Sequence, residues 1–284
     1  MSRQTDTQKD RIKYRVMEHV RKSGQHLTPL DLERMVSTDL GISGKTARKI
    51  VKTLVSENRL SYTQNLGRSF VEISRNRPVN VGQDFVLAPP GVSCPRERGR
   101  VIVRIAPGAS FGIGDHATTR IALKLMSRVF RESALPCPPE ETLVLDIGTG
   151  TGVLAIAACL MGAGRAIGTD TDPCARSEAA HNVCLNDLEE KIHIDYTKDG
   201  SEISPRDPTP GFSMILANLR YPTLAGLCGE ITRIASPGAI VIFSGFRDHE
   251  MEDLVRIYAS CGFRRICGLT ENAWCGITLK KEAE

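Results

Sequence analysis

The chain has 284 residues, 41% hydrophobic and 25% charged, a balance that fits a globular protein with room for two domains. No apolar run approaches the about 18 residues needed to span a bilayer. The polar start MSRQTDTQKDR has no apolar segment behind it of the signal-peptide kind, so a cytoplasmic protein is expected. The net charge of +4 is unevenly divided: residues 1–79 hold 16 Lys/Arg against 8 Asp/Glu, and the remainder holds 21 against 25.

Within 8–23, Ile12, Val16 and Val20 fall on one helical face, and Gly24-Gln25 ends that helix. Thr28-Pro29 reads as an N-cap and first-turn proline opening a second helix that carries Leu30, Leu32 and Met35. Ser43 is the cap candidate for a third. Ala47, Ile50, Val51, Leu54 and Val55 line one side of that helix, and Lys45, Arg48, Lys49 and Lys52 occupy the other side or its start. The run RLSYTQNLGRSFVEIS predicts two short strands joined around Asn65-Leu66-Gly67. Three helices and a two-stranded wing resemble a winged helix-turn-helix over 1–79. Its basic third helix suits nucleic acid, with lysines on phosphates in a major groove. A wing that docks a protein or a second copy of the chain, its lysines merely solvated, fits the same residues.

Residues 80–100 read as a connector: Phe85-Val86-Leu87 predicts a short strand before Pro89-Pro90, and PPGVSCPRERGR a loop. The second domain, 101–284, opens with a strand over Val101 to Ile105, then APGASFGIGDHATTRIALKLM, then a helix over Ala117 to Val129. Thr118 and Thr119 sit where that helix begins, so hydroxyls and free amides there can meet a carboxylate.

Thr142 to Ile147 is an apolar, β-branched strand ending in a carboxylate, Asp146. Gly148, Gly150 and Gly152 alternate with threonines before helical spacing resumes over Val153 to Met161. A second strand, Arg165 to Thr169, ends at Asp170, 22 residues after Gly148. Alternate glycines let a ligand approach the backbone, and an acid about 20 residues further on can grip two ribose hydroxyls. The spacing is G-x-G-x-G led by an acid, not the G-x-G-x-x-G that cradles a pyrophosphate.

Asp172-Pro173 opens a helix with Ala175, Ala179 and Val183 on one face, and Asn182 and Asn186 read as capping or surface groups. A third strand covers Ile192 to Thr197. Asp195 and Asp199 read as a solvated turn in preference to an adenine contact. Residues 201–212 predict a polar loop, and a fourth strand, Ser213 to Leu219, carries Asn218 at its end. An amphipathic helix over Thr223 to Ala235, a turn at Pro237-Gly238 and a buried strand over Ala239 to Phe246 follow. His249 to Cys261 predicts the last helix, and strands about 264–270 and 273–280 close as a hairpin around Glu271-Asn272. Of nine cysteines, none in a C-x-x-C pair, Cys159, Cys228 and Cys261 fall in helical patterns as small buried residues, and no metal or disulfide framework is expected.

The acid-led glycine turn, with Asp146 before it and Asp170 after it, resembles motif I of the class I S-adenosylmethionine-dependent methyltransferases. A narrower resemblance lies in Pro107, Gly108, Phe111, Gly112, Gly114, His116, Thr118, Thr119 and Arg120. These match the signature PG-x-[AS]-FG-x-G-x-H-x-TT-R of the PrmA family, which methylates amino groups on a large-subunit ribosomal protein. Asn218-Leu219 is similar to the N-[IL] of that family, while Arg220-Tyr221 depart from the small residues usual there. Together the resemblances cover about residues 100–265.

They imply an α/β, doubly wound, Rossmann-like sheet with an antiparallel last strand, and S-adenosyl-L-methionine as cofactor. Asp146, Gly148, Gly150 and Gly152 would form the cofactor turn, Asp170 would hold the ribose, Phe111 would pack beside the cofactor and Thr119 would meet its amino-acid end. Asn218 would touch both cofactor and acceptor, next to the methyl in transfer to a neutral nitrogen. The acceptor implied is a lysine or N-terminal amine on a protein, ribosomal by resemblance. Two other readings stay open: a small-molecule or RNA methyltransferase that uses the wing for docking or dimerisation, and a non-catalytic, cofactor-binding DNA regulator. The resemblance does not reach residues 1–79, because PrmA proteins carry a different, sheet-containing recognition domain.

Overall fold

In the computed structural model of the chain, the described residues are 12–20, 23, 27–65, 67–74, 76–94, 99–112, 114, 116–196 and 211–282. Residues 8–11, 21–22, 24–25, Leu66, Thr197, Asp199 and 201–210, for which the sequence predicts helix, turn and loop, lie outside them. The chain divides into two compact units, Met1–Arg77 and Pro78–Glu284.

The smaller unit runs helix α1 (12–20), α2 (Pro29–Leu40), α3 (Gly44–Ser56), then strands β1 (Leu60–Asn65) and β2 (Arg68–Ile73) paired antiparallel. Thr28 and Ser43 cap α2 and α3, each hydroxyl accepting from a backbone N–H three residues on, at 3.2 Å. Gly41 ends α2 in the left-handed region at φ +60°. One core joins all five elements: Val16, Met17, Leu32, Val36, Ala47, Val51, Leu54, Leu60 and Val71. On α2 the buried pair is Leu32 and Val36, one turn apart, so Leu30 and Met35 face solvent.

The larger unit begins where the sequence predicts a connector. A small sheet forms here: β3 (Val79–Val81) pairs antiparallel with β4 (Phe85–Ala88), which runs parallel to β5 (Val101–Arg104). The strands expected at Phe85-Val86-Leu87 and over Val101 to Ile105 form as β4 and β5, whereas β3, three residues long and followed by Gly82, is hidden in the sequence. All three are buried, with Val81, Phe85, Leu87 and Val103 in the same core as α4 (Ala117–Arg131) and α5 (Val153–Leu160).

A seven-stranded sheet follows: β6 (Leu143–Ile147), β7 (Arg165–Asp170), β8 (Ile192–Tyr196), β9 (Phe212–Asn218), β10 (Ala235–Arg247), β11 (Phe263–Glu271) and β12 (Trp274–Lys281). Its order is β11-β12-β10-β9-β6-β7-β8, with β12 alone running against its neighbours. The central strands feed two cores by strict alternation. Val144, Met214, Leu216, Ile240 and Ile242 pack with α4 and α5 on one face. Leu145, Ile147, Ile215, Ala217, Val241 and Phe243 pack on the other, with α7 (Tyr221–Gly226), α8 (Cys228–Ile234) and α9 (Met251–Ala259). Both faces are covered, so these strands read as unbroken apolar runs. After β8 the chain returns to the other side of β6, and this switch opens a crevice at the carboxyl ends of β6 and β9.

Three boundaries differ from expectation. The single helix expected over 223–235 is two short ones broken at Leu227, where Gly226 and Gly229 weaken the helix. Pro237-Gly238 lies inside β10, as an irregularity between Ala235 and Ile240, with Gly238 at φ +73°. The last helix starts regular winding only at Met251, after a 3-10 turn over Asp248–Glu250. The closing hairpin forms, with Asn272 and Ala273 both left-handed as a tight turn requires.

Candidate active site

The crevice is a cleft of about 640 Å³, within the roughly 300–1,000 Å³ usual for small-ligand sites. It gathers Phe111, Gly148, Gly150, Asp170 and Asn218 from four separate stretches of chain. Thr119, Asp146 and Gly152 stand outside its lining. Gly152 opens α5 and packs on α6 (Pro173–Cys184), where an added Cβ would lie 3.3 Å from Ala179.

The glycine turn is held by its neighbours. Thr149 N donates to Thr169 O at 2.9 Å, Gly150 N to Asp170 Oδ2 at 3.0 Å and Thr151 N to Phe111 O at 3.0 Å. Gly150 sits at φ +54°, and a Cβ there would stand 2.4 Å from Phe111 O, so only glycine permits this approach. At Gly148, φ +69°, a Cβ would come within 2.6 Å of Leu219 Cδ2. Asp170 closes the arrangement from the end of β7. One carboxylate oxygen takes Gly150 N, the other takes Asp172 N at 3.0 Å, and lone pairs remain for a ligand.

Asp146 lies behind the turn, fully buried. Its Oδ2 accepts from Thr149 Oγ1 at 2.7 Å and Ala155 N at 3.2 Å, tying the turn to the first residues of α5. Burial pushes its carboxyl up to about 6, opposed by these two hydrogen bonds and aided by the nearby Asp170 charge.

Asn218 ends β9 with its Oδ1 accepting from Ser244 Oγ at 2.9 Å, while Leu219 N donates to Ser244 O at 3.0 Å. The neighbouring Gly245 admits this close approach, since a Cβ there would lie 2.5 Å from Leu219 O. Phe111 is half exposed at the cleft mouth. Its ring meets His116 edge-on at 5.1 Å, His116 meets Trp274 at 5.0 Å, and the Arg247 guanidinium stacks 3.6 Å above Trp274. His116 caps α4, its Nδ1 accepting from Thr118 N at 3.3 Å. Burial, with the charges of Arg120 and Arg247, holds its pKa below the ordinary histidine value. Arg120 pairs with Glu271 at 2.6 Å and donates to Gly114 O at 3.0 Å.

A set of side chains on α6 and in the turn just after it escapes the sequence reading. Glu178 accepts from Ala109 N at 2.9 Å and Ser110 N at 3.1 Å. Asn182, buried and not a surface group, accepts from Ala106 N at 2.9 Å and donates to Thr151 O at 2.8 Å. Asn186 brackets Arg104, accepting from its N and donating to its O at 2.8 Å. The signal is their spacing of four, which puts Glu178 and Asn182 on one helix face and continues into the following turn at Asn186.

The chemistry of the cleft selects among ligands. Its charged lining residues, among the described ones, are Asp170 and Asp172, with no Lys or Arg. A pyrophosphate would find no counter-charge, whereas a cationic sulfonium nucleoside would. Hydroxyl oxygens of Thr169 on the cleft wall, Thr151 in the turn and Thr119 in the first turn of α4 are buried without partners. Such a group costs about 1–3 kcal/mol unless something bonds it, and of the three only Thr169 lines the cleft, where a ligand carrying polar groups can reach it.

The fold and this cleft define an S-adenosylmethionine-dependent methyltransferase. The family model described as "Ribosomal protein L11 methyltransferase (PrmA)" matches residues 71–282, and the chain belongs to that family. The ribosomal protein L11 methyltransferase of Pelobacter propionicus is 32% identical over 231 residues, covering 81% of this chain and 68% of that protein. That of Syntrophotalea carbinolica is 30% identical over 203 residues, covering 72% and 62%. That of Geobacter sp. strain M21 is 34% identical over 172 residues, covering 60% and 53%. The chain thus spans about half to two thirds of the length of these relatives. The crystal structure of ribosomal protein L11 methylase from Lactobacillus delbrueckii subsp. bulgaricus superposes with a TM-score of 0.63 at 25% identity, covering 72% of this chain and 99% of that one.

Proposed function

We propose that the chain methylates an amino group, a lysine side chain or an N-terminal amine, on a protein acceptor of the ribosomal class. The observation that carries this reading is Asn218. Its side chain, fixed by Ser244, lines the same cleft as Gly148 and Asp170. One lone pair of Asn218 Oδ1 is engaged, and the other is available to orient an amine N–H. S-adenosylmethionine, when bound, supplies the methyl group as an electrophile on positively charged sulfur.

The chain's own residues bind and position. Asp170 accepts from ribose hydroxyls, the turn from Gly148 to Gly152 gives close backbone approach, and Asp146 braces that turn from behind. Phe111 covers the mouth, while Thr119, buried outside the cleft lining, is given no ligand contact. An acceptor lysine, ordinarily near pKa 10.4, must arrive neutral. Phe111, Leu219 and Leu227 give the cleft an apolar wall, which favours the uncharged amine. No general base is assigned, and positioning is the main contribution.

The test is transfer of labelled methyl from S-adenosylmethionine into fractionated cell extract by the full chain. Label on lysine or N-terminal amines of ribosomal proteins is expected. Label confined to RNA or small molecules overturns the acceptor class. Asp170→Ala is expected to abolish cofactor binding in calorimetry, and an unchanged affinity removes its assigned role.

A further inference from the structure

The methyl-transfer cleft leaves the smaller unit unexplained, and residues 1–70 lie outside the family match. Its most distinctive feature is α3. Lys45, Arg48, Lys49 and Lys52 are all exposed and follow one another at short helical steps, opposite the buried Ala47, Val51 and Leu54. The helix contains no acidic residue from end to end. Arg48 is bonded to Glu33 of α2 at 3.0 Å, but Lys45, Lys49 and Lys52 make no ion pair among the described residues.

This arrangement costs α3 stability on its own. Lys45 stands in the first turn, where the helix dipole disfavours a cation. The pairs 45/49 and 48/52 set like charges one turn apart, each destabilising by about 0.2–0.5 kcal/mol. An external polyanion reverses the sign of every one of these terms. The hairpin after α3 adds exposed Tyr62, Gln64, Asn65 and Arg68. In the sequence as a whole, residues 1–79 carry the chain's entire positive excess.

We propose that the exposed face of α3 docks in the major groove of duplex DNA, with Lys45, Lys49 and Lys52 on phosphates. A rigid helix about 20 Å long bearing its cations on one face fits a B-form major groove about 12 Å wide. The deep, narrow major groove of A-form RNA does not admit it. The inference is independent of which acceptor the cleft methylates.

The test is fluorescence anisotropy of the full chain with a labelled DNA duplex of about 20 base pairs across a salt series. Three to four phosphate contacts predict binding that weakens about 40- to 150-fold between 50 and 200 mM salt. In K45A/K49A/K52A the log–log salt slope falls by roughly 3. Those side chains are exposed, so the variant keeps its fold, checked by circular dichroism and by unchanged S-adenosylmethionine affinity. Four results overturn the proposal. They are absence of DNA binding by the unmodified chain, an unaltered salt slope in the variant, equal affinity for duplex RNA of the same sequence, or a variant whose only change is a dimer becoming monomeric.

Discussion

Replacing Asp146 by asparagine isolates what a buried carboxylate contributes to the larger unit. In the folded protein burial lifts this group from 3.8 to about 6. The folded state therefore holds its proton over a window in which the unfolded chain has released it. Stability from that proton is complete below about pH 3.8, and it is lost as the pH rises through about 6. At about 1.4 kcal/mol per pKa unit, the total loss is on the order of 3 kcal/mol. The substituted amide has no proton to lose, keeps an oxygen for Thr149 and Ala155, and should show no such drift. Trp274 is the chain's one tryptophan and lies in β12, so urea unfolding followed by its emission reports the larger unit. His116 packs against Trp274 and alters its intensity on protonation, so the midpoint and slope are the quantities to compare. Asp146→Asn should gain on the unmodified protein by about 2 kcal/mol between pH 4 and pH 7, since part of the total is already lost at pH 4. Two stability curves that stay parallel across that range would refute the assignment of a desolvated, late-ionising Asp146.

Gly150→Ala forces a side chain into the left-handed region and its Cβ against Phe111 O. A cost of about 2 kcal/mol, from backbone strain and the displaced Thr151–Phe111 bond, should weaken S-adenosylmethionine binding about 30-fold by calorimetry. Glu178→Ala frees two amides of the entrance loop and should weaken cofactor binding about tenfold. Glu178→Gln, which keeps one acceptor oxygen, should fall between, and equal affinities for all three proteins would show that the loop does not need this tether.

Legibility follows the range of the interactions involved. Strands β6, β9 and β10 announce themselves because both faces are buried, and the two carboxylates and the glycines between them sit within one stretch of about 25 residues. Caps are equally local, as at Thr28, Ser43 and Asp172. Within 79–88 the apolar Phe85-Val86-Leu87 is legible as a strand, but β3 is opaque, because three residues are too few to show a period and its burial depends on α4, more than 25 residues away. The break at Leu227 depends on two glycines whose effect is small beside the apolar pattern of Leu224, Cys228 and Ile231. Asn182 reads as a surface group because its partners, Ala106 and Thr151, are 76 and 31 residues distant. Asp146 and Asp170 are both visible as strand-end acids, but only the structure separates them, one bracing the turn from inside and one facing the cleft.

That separation bears on how the cleft can work. Glu178 and Asn182 of α6, with Asn186 in the turn after it, grip the chain at Arg104, Ala106, Ala109 and Ser110 on one side and at Thr151 on the other. The same helix begins at Asp172, whose amide is held by Asp170. Entrance loop, glycine turn and the Asp170 carboxylate are therefore all referenced to a single element as well as to one another. Thr151 N then closes the circuit by donating to Phe111 O, so the loop cannot shift without disturbing the turn. A ligand that orders the loop strengthens the turn by the same free energy with which an ordered turn favours the loop. Coupling of this kind places the cost of assembling the mouth in ligand binding, whereas Asn218 is anchored separately through Ser244 on β10, so that Asn218→Ala should leave S-adenosylmethionine affinity nearly unchanged while lowering methyl transfer if the proposed acceptor role holds.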